Sequence, residues 1–323
     1  MHNSDACEAP VLLIAFNRPA ETLKTLNAIR AARPKSLRLA IDGPRPGRDD
    51  DAEATEAVAQ LAERVDWPCD VQVIRQPENL GCGPAVSKAI TSFFAEVEAG
   101  IILEDDCVPH PSFFRFAQEL LERYADDERV GTVAGSSGGL KLPSQSSYGF
   151  SKYAYIWGWA SWRRAWQHFD LNLSDWPEVD REGLIEAILQ SPGEVHFWKK
   201  RFAGVFEGTG PSNWDYQWMF AHFANRMACV VPTVNLVTNI GSSAEATHMG
   251  AFDPYMHIPA TEMAFPLVHP RYFVLDAIAD REAALTRFSV RPLPVRASRR
   301  VWRDIRTAWL RRTTRDRRDN RDS

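Results

Sequence analysis

The chain has 323 residues, of which 45% are hydrophobic and 25% charged, with a formal net charge of −4. That composition excludes collagen-like, low-complexity and wholly disordered chains, and the length is enough to bury a core without disulfides or metals as staples. The charge is uneven: residues 291–323 carry twelve Arg against four Asp, a local +8, which leaves the first 290 residues at −12.

The first 135 residues alternate between two patterns. Val11 to Phe16 is a continuous apolar run, as expected of a strand buried on both faces. Pro19 then opens a helix at a position where its missing N–H costs nothing, with Leu23, Leu26, Ile29 and Ala32 at helical spacing. Leu37 to Ile41 reads as a second strand ending in Asp42-Gly43-Pro44, and residues 45–51 as a charged loop. A helix is predicted over 52–65, a strand over Val71 to Ile74, a turn over Asn79 to Gly83, and a helix from Pro84 through Val97. Ile101-Ile102-Leu103 is a fourth strand running directly into Glu104-Asp105-Asp106. Pro111 to Tyr124 reads as a helix and Val130 to Ala134 as a strand. This order implies right-handed crossovers and a mostly parallel sheet covered by helices, which binds ligands at the carboxyl ends of its strands.

The pattern changes after about residue 140. Eight of the eleven Trp lie between Trp157 and Trp218. Tyr148 to Trp162 is aromatic and strand- or loop-like, residues 178–190 and 194–206 look helical, and Trp214 to Met227 is a further helix. Val230 to Ile240 reads as one strand, followed by a polar turn and Thr247-His248. The five cysteines include no C-x-x-C pair, which favours reduced thiols, and no stretch resembles a signal peptide or a membrane span. A cytoplasmic location is expected.

Three carboxylates together repel one another, and a cation offsets that repulsion. Carboxylate oxygens suit Mg²⁺ or Mn²⁺, commonly with substrate phosphates completing the coordination. The plainer alternative for Glu104 to Asp106 is a solvated acidic turn. Arg18 is able to bind a phosphate through two parallel hydrogen bonds, and Asp42 to accept an N–H from a base or a hydroxyl from a ribose; each is equally compatible with a surface or capping role. Asp215, between Trp214 and Trp218, is a candidate base if its flanking rings desolvate it, or a helix N-terminal charge. His248 is a candidate for metal or phosphate contact, although a lone His is usually structural. The Trp cluster is more often core than binding surface, yet aromatic faces also stack on sugar rings.

Together these segments resemble glycosyltransferases of the GT-A fold, and more narrowly the family of N-acetylglucosaminyltransferase I with related bacterial glycosyltransferase-like proteins. The resemblance runs through Ala15-Phe-Asn-Arg18, Ile41-Asp-Gly43, Ile102-Leu-Glu-Asp-Asp106 with Pro111 to Phe114, Gly158-Trp159 with Trp166, Trp214-Asp215 with Trp218, and Asn239-Ile-Gly241 with Thr247-His248. It implies an α/β nucleotide-diphospho-sugar transferase fold, with a mostly parallel central sheet flanked by helices and an aromatic-rich acceptor side. Residues 1–135 would be the nucleotide-sugar-binding half, 136–290 the acceptor-binding and catalytic half, and 291–323 a basic amphipathic tail. The implied reaction is a metal-dependent inverting transfer of a hexosyl or N-acetylhexosaminyl group from a nucleotide-diphosphate donor, UDP-linked, to a glycan or lipid-linked acceptor such as a cell-envelope polysaccharide. The resemblance puts Asp106, with His248, on Mn²⁺ or Mg²⁺, and Asp105 and Glu104 on ribose and donor sugar. Arg18 falls to phosphate, Asp42 to uracil, and Asn79 joins this donor-contacting set. The family's base lies in a Trp-Asp-Asp-Trp stretch. This chain has Trp-Asp-Tyr-Gln-Trp, so the role falls on Asp215, the one carboxylate there.

Three other readings compete. A nucleotide-sugar nucleotidylyltransferase is expected to carry a Gly-rich, basic loop after its first strand, which Asn17-Arg18-Pro19-Ala20 is not. A non-catalytic carbohydrate-binding protein would keep the Trp cluster and need no acidic triplet. The acidic body argues against a broad nucleic-acid footprint. In the tail, Val301, Trp302, Ile305, Ala308 and Trp309 fall on one helical stripe among arginines. That pattern suits either a helix packed on the domain or docking on an anionic membrane surface.

Overall fold

The computed structural model describes residues 7–140, 142, 145–189, 191–241, 256–286 and 288. His248 and the basic tail lie outside these residues. The elements in order are β1 (Val11–Ala15), α1 (Pro19–Ala32), β2 (Ser36–Ile41), α2 (Asp49–Gln60), a 3₁₀ turn (Leu61–Arg64), β3 (Asp70–Arg75), α3 (Cys82–Glu96), β4 (Ala99–Glu104), β5 (Cys107–Pro109), α4 (Pro111–Arg123) and β6 (Val130–Ala134). There follow β7 (Tyr148–Ser151), β8 (Trp159–Trp162), α5 (Arg163–Trp166), α6 (Trp176–Arg181), α7 (Leu184–Ile188), α8 (Pro192–Phe206), α9 (Asp215–Ala224), β9 (Ala228–Pro232), β10 (Val237–Asn239) and α10 (Ala277–Thr286).

Eight strands form one sheet in the order β3-β2-β1-β4-β8-β6-β9-β7, and β10 pairs with β5 in a separate ribbon. The strands β1 to β4 are mutually parallel; β8 runs antiparallel to both β4 and β6, and β7 antiparallel to β9. Both faces are covered, which explains the unbroken apolar runs. In β1, Val11, Leu13 and Ala15 enter one core with α1 and α4, while Leu12 and Ile14 enter the other with α3. The strand order departs in opposite directions from β1 and β4. Sheets of this kind bind ligands in the crevice outside the carboxyl ends at such a reversal.

Three boundaries differ from expectation. Val230 to Ile240 is two strands, because Asn235 folds the chain between them: its Nδ2 donates to the carbonyls of Val237 (2.8 Å) and Ile258 (2.9 Å), and its Oδ1 accepts from Ser137 N (3.1 Å). The helix expected over 178–190 is α6 and α7, divided at Gly183, whose φ of +66° suits glycine. The helix α2 begins inside the charged loop, where Asp49, Asp50 and Asp51 put negative charge on its first turn.

The Trp cluster is core. Trp159, Trp198 and Trp218 are fully buried, and Trp162, Trp166, Trp176 and Trp214 nearly so. Trp159 stacks on Trp214 at 5.7 Å, and Trp166 stacks on Phe169 at 4.2 Å. Among the described residues no helix is long and apolar enough to cross a membrane.

Candidate active site

The carboxyl ends of β1 and β4 deliver Arg18 and the acidic triplet to the same point. Arg18 Nε donates to Asp105 Oδ2 at 3.2 Å, and its Nη2 donates to Asp105 Oδ1 and to Asp106 Oδ2, the latter at 3.2 Å. Thr25 of α1 donates to the Asp105 carbonyl at 2.9 Å, which fixes the turn from the opposite side. Burial pushes the Glu104 carboxyl well above the usual carboxylate range, and the charges of Asp106 and Asp105 push it further. Burial also raises Asp105, against the pull of Arg18. At Arg18 burial disfavours the charge, but Asp105 and then Asp106 outweigh it, so the guanidinium is held charged.

Asp106 is the member of the triplet that is tied to the far half of the chain. The β5–β10 ribbon sets Asn239 opposite Cys107, and Asn239 Nδ2 donates to Asp106 Oδ1 at 3.4 Å. Ile240 N donates to the Asp106 carbonyl at 2.8 Å. Gly241 follows, its N–H bound to Asn239 Oδ1 at 2.9 Å. A Cβ at Gly241 would stand 2.7 Å from Asp106 Oδ2, so the absence of a side chain there is what lets this carboxylate sit where it does.

Asp42 has a different setting. Its Oδ1 accepts from Gly43 N and Leu80 N, both at 2.9 Å, and its Oδ2 accepts from Asn79 Nδ2 at 2.9 Å and Gly81 N at 3.2 Å. The carboxylate thus brackets the turn that leads into α3, and a base or ribose reaching it meets an acceptor already holding four donors. Asn79 is drawn into the same bracket, and its Nδ2 also reaches the Gly43 carbonyl at 3.0 Å. Asn17 turns away to Asp51 at 2.7 Å, where Arg45 also binds; the hydrogen bonds of Arg45 and Asn17 hold Asp51 well below the usual carboxylate range.

Asp215 is the first residue of α9, behind the buried Trp214. A Cβ at Gly83 would lie 2.8 Å from the Asn213 carbonyl, so the start of α3 packs directly on the segment leading to Asp215. The charge of Asp215 is felt at Glu104. Arg18, Asp105 and Asp106 therefore meet at one point beside Glu104, close enough to Asp215 for its charge to act there. Cys82, the first residue of α3, stands near them, and its crowded setting with the charges of Glu104, Asp215, Asp42 and Asp106 pushes its thiol up. Asn239, Gly241, Thr25 and Cys82 were not expected as site residues. Asn239 and Gly241 had a signal in the chain, the Asn-Ile-Gly segment of the resemblance, and Cys82 lies in Gly81-Cys-Gly-Pro84, a glycine-flanked helix start at which backbone is able to approach a ligand.

Among the described residues no three His, Cys, Asp or Glu side chains converge into a closed metal cage. The donor set nonetheless suits a hard divalent cation. Asp105 and Asp106 pair with one guanidinium, Glu104 precedes them in the chain, and oxygens of Asp106 and Asn239 lie within 3.0 Å of where a Gly241 Cβ would stand. One or two carboxylates completed by substrate phosphates is an ordinary way to hold Mg²⁺.

Residues 11–169 match the family described as Glycosyl transferase family 2. No curated protein matches the chain. Among solved structures, a UDP-glucose pyrophosphorylase complexed with UDP-glucose is similar at 10% identity and a TM-score of 0.37, over 73% of this chain and 95% of that one. Mouse xyloside xylosyltransferase 1 in its apo form is similar at 14% identity and a TM-score of 0.34, over 69% and 84%. A cytidylyltransferase from Leptospira borgpetersenii serovar Hardjo-bovis is similar at 9% identity and a TM-score of 0.30; the match takes in 49% of this chain and spans 61% of the length of that protein. Likenesses this low say nothing of substrate.

Proposed function

We propose that this chain, whose residues 11–169 match the family described as Glycosyl transferase family 2, transfers a sugar from a nucleotide-diphosphate donor, UDP-linked, to a glycan or lipid-linked hydroxyl with inversion and with the help of Mn²⁺ or Mg²⁺. The observation that carries the reading is the meeting of Arg18 with Asp105 and Asp106 at the reversal of strand order, within reach of the charge of Asp215. The finer assignment of each residue follows the N-acetylglucosaminyltransferase I pattern.

Asp106, steadied by Asn239, is the carboxylate proposed to hold the cation. His248, outside the described residues, is proposed to join it. A bound divalent cation supplies charge neutralisation to the leaving diphosphate. Arg18 binds the diphosphate oxygens and stabilises the charge that grows on them as the glycosidic bond breaks. Glu104 and Asp105 orient the ribose and the donor sugar. Asp42 and Asn79 hold the Leu80 and Gly81 amides as the wall of the nucleoside end. On the opposite side, Asp215 accepts the proton of the attacking acceptor hydroxyl. One displacement needs no covalent enzyme nucleophile, which matches a site of acids and an arginine. The basic tail, also outside the described residues, is proposed to hold the enzyme on the inner face of a membrane.

The reading is tested by UDP-sugar binding and turnover with and without Mn²⁺. Asp106→Ala is expected to lose metal-dependent donor binding. Asp215→Asn is expected to keep donor binding and to lose about 10²- to 10⁴-fold in transfer rate, the usual contribution of a positioned base. Metal-independent binding unaffected by Asp106→Ala would overturn the role of the triplet, and wild-type transfer by Asp215→Asn would move the base elsewhere.

A further inference from the structure

Among the described residues, the exposed large apolar side chains are concentrated in one short stretch. Among the described residues eight are exposed, and Val268, Tyr272, Val274, Leu275, Ile278 and Leu285 all fall between residues 268 and 285. Ile278 is 75% exposed, Tyr272 68% and Val274 67%. Single exposed apolar residues need no explanation, but a concentration of them marks an interaction surface.

The stretch is firmly anchored from beneath. Phe273 packs on Phe150 at 4.3 Å, and the Arg129 guanidinium covers the Phe273 ring at 4.2 Å. Asp276 N donates to the Phe150 carbonyl at 2.8 Å, and Asp276 Oδ1 caps α10 through Ile278 N and Ala279 N. Asp280 accepts from Ser151 Oγ at 2.5 Å and Lys152 N at 3.2 Å. The inner face of α10 is small, with Ala279, Ala283 and Ala284 buried. Small residues inside and large apolar ones outside is the reverse of what a strap serving only the core requires. On α10, Ile278, Arg281 and Leu285 lie three and seven residues apart, on one face.

We propose that this exposed apolar stretch, 268–285, docks on an anionic lipid surface. The choice of occupant rests on charge. The sequence that leaves α10, residues 287–323, holds thirteen Arg and four Asp, so strong positive charge begins where the apolar stretch ends. Two such polybasic segments repel one another, whereas acidic headgroups attract each of them. Stable attachment generally needs two signals, here an apolar stretch and a polybasic segment. Tyr272, with the Arg271 guanidinium 5.3 Å from its ring, has the amphipathic character favoured at the headgroup boundary. The benefit to the enzyme, access to lipid-linked acceptors, rests on the function proposed above; the docking itself does not.

The test is flotation of the full chain with vesicles of phosphatidylcholine containing phosphatidylglycerol, against pure phosphatidylcholine. Wild type is expected to float with the anionic vesicles and at least about 10-fold less with neutral ones. The Tyr272→Asp, Val274→Asp, Ile278→Asp triple variant is expected to bind anionic vesicles at least about 10-fold more weakly at an unchanged melting temperature. The single Ile278→Ser change, at the most exposed position, guards against misfolding of the triple variant and is expected to lose about 3-fold. Val73→Asp, at an exposed apolar site outside the stretch, is expected to float as wild type. Wild type that stays in solution, variants that float like wild type, or a wild-type dimer that the triple variant turns into monomers would each overturn the proposal. UDP-sugar binding is measured on the same samples. Its loss alongside intact flotation would strike the proposed function and leave the docking surface standing.

Discussion

Gly241→Ala tests the position of Asp106 without removing a carboxylate. The added Cβ would lie 2.7 Å from Asp106 Oδ2 and 3.0 Å from Asn239 Oδ1, against the 3.4 Å at which ordinary contact begins. Gly241 is not among the glycines with positive φ, so the backbone accepts alanine and the conflict falls on the two side chains. Restoring contact distance moves the Asp106 carboxylate or the loop by about 0.7 Å. A misplacement of about 1 Å at a reacting centre costs on the order of 10²-fold. The expected loss in kcat/KM is therefore about 10- to 100-fold, or about 1.4–2.7 kcal/mol of barrier. It should appear with a raised half-saturating Mn²⁺ concentration and a melting temperature close to wild type. The assay is sugar transfer at saturating acceptor across a Mn²⁺ titration. Gly149→Ala is the control, because its Cβ would meet only Leu142 at an ordinary 3.4 Å. Unchanged kcat/KM and unchanged Mn²⁺ dependence in Gly241→Ala would refute the assignment of Asp106 to the cation.

Other expectations follow from the same contacts. Arg18→Lys keeps the charge but loses the forked pairing with Asp105, and kcat/KM should fall about 10-fold; wild-type transfer by the lysine variant would show that charge alone suffices. Asp42→Ala strands the buried Gly43 N–H, the part-buried Leu80 and Gly81 N–H groups and the Asn79 side chain, so urea unfolding should show a loss of about 1–3 kcal/mol; a loss below about 0.5 kcal/mol would mean that the bracket is idle. His222 is fully buried between Thr132 Oγ1 at 2.8 Å and the Met227 carbonyl at 3.1 Å, and burial lowers its pKa to about 3. Below about pH 6.5 the unfolded chain takes up a proton that the native His222 refuses, so stability falls with pH by up to about 1.4 kcal/mol per unit until native His222 itself protonates near 3. Between pH 6 and 4 the stability of wild type should therefore fall relative to His222→Gln; parallel curves would refute it.

The parallel half of the sheet was legible because a strand covered on both faces is largely apolar: β1 is so throughout, β4 up to Glu104, and β2 apart from Ser36 and Arg38. Asp106 was legible for a related reason, as an acid at the end of such a strand. The antiparallel half was harder. The strand β8 is Trp-Ala-Ser-Trp, with no alternation to mark it, and Pro232 and Asn235 interrupt a run that is apolar enough to pass for one strand. The Asn239–Asp106 contact depends on pairing between two three-residue strands more than a hundred residues apart, and no local pattern encodes that.

Arg18 shows most clearly what sequence withholds. Its residue type and place after β1 point to phosphate, yet its partners are Asp105 and Asp106, 87 and 88 positions away. The two observations are compatible on charge grounds. Three carboxylates gathered with one arginine outnumber it, and burial makes the excess negative charge costly, which is why Glu104 and Asp105 are pushed up toward protonation. On the proposed reading, a divalent cation arriving with a diphosphate removes the excess, and Arg18 then exchanges an aspartate oxygen for a phosphate oxygen at little electrostatic cost. An arginine destined for a phosphate would otherwise be a half-buried charge without a counterion, and the carboxylates beside it would have no cation at all. The acids and the arginine thus offset one another in part, which explains why one point in the fold concentrates both signs.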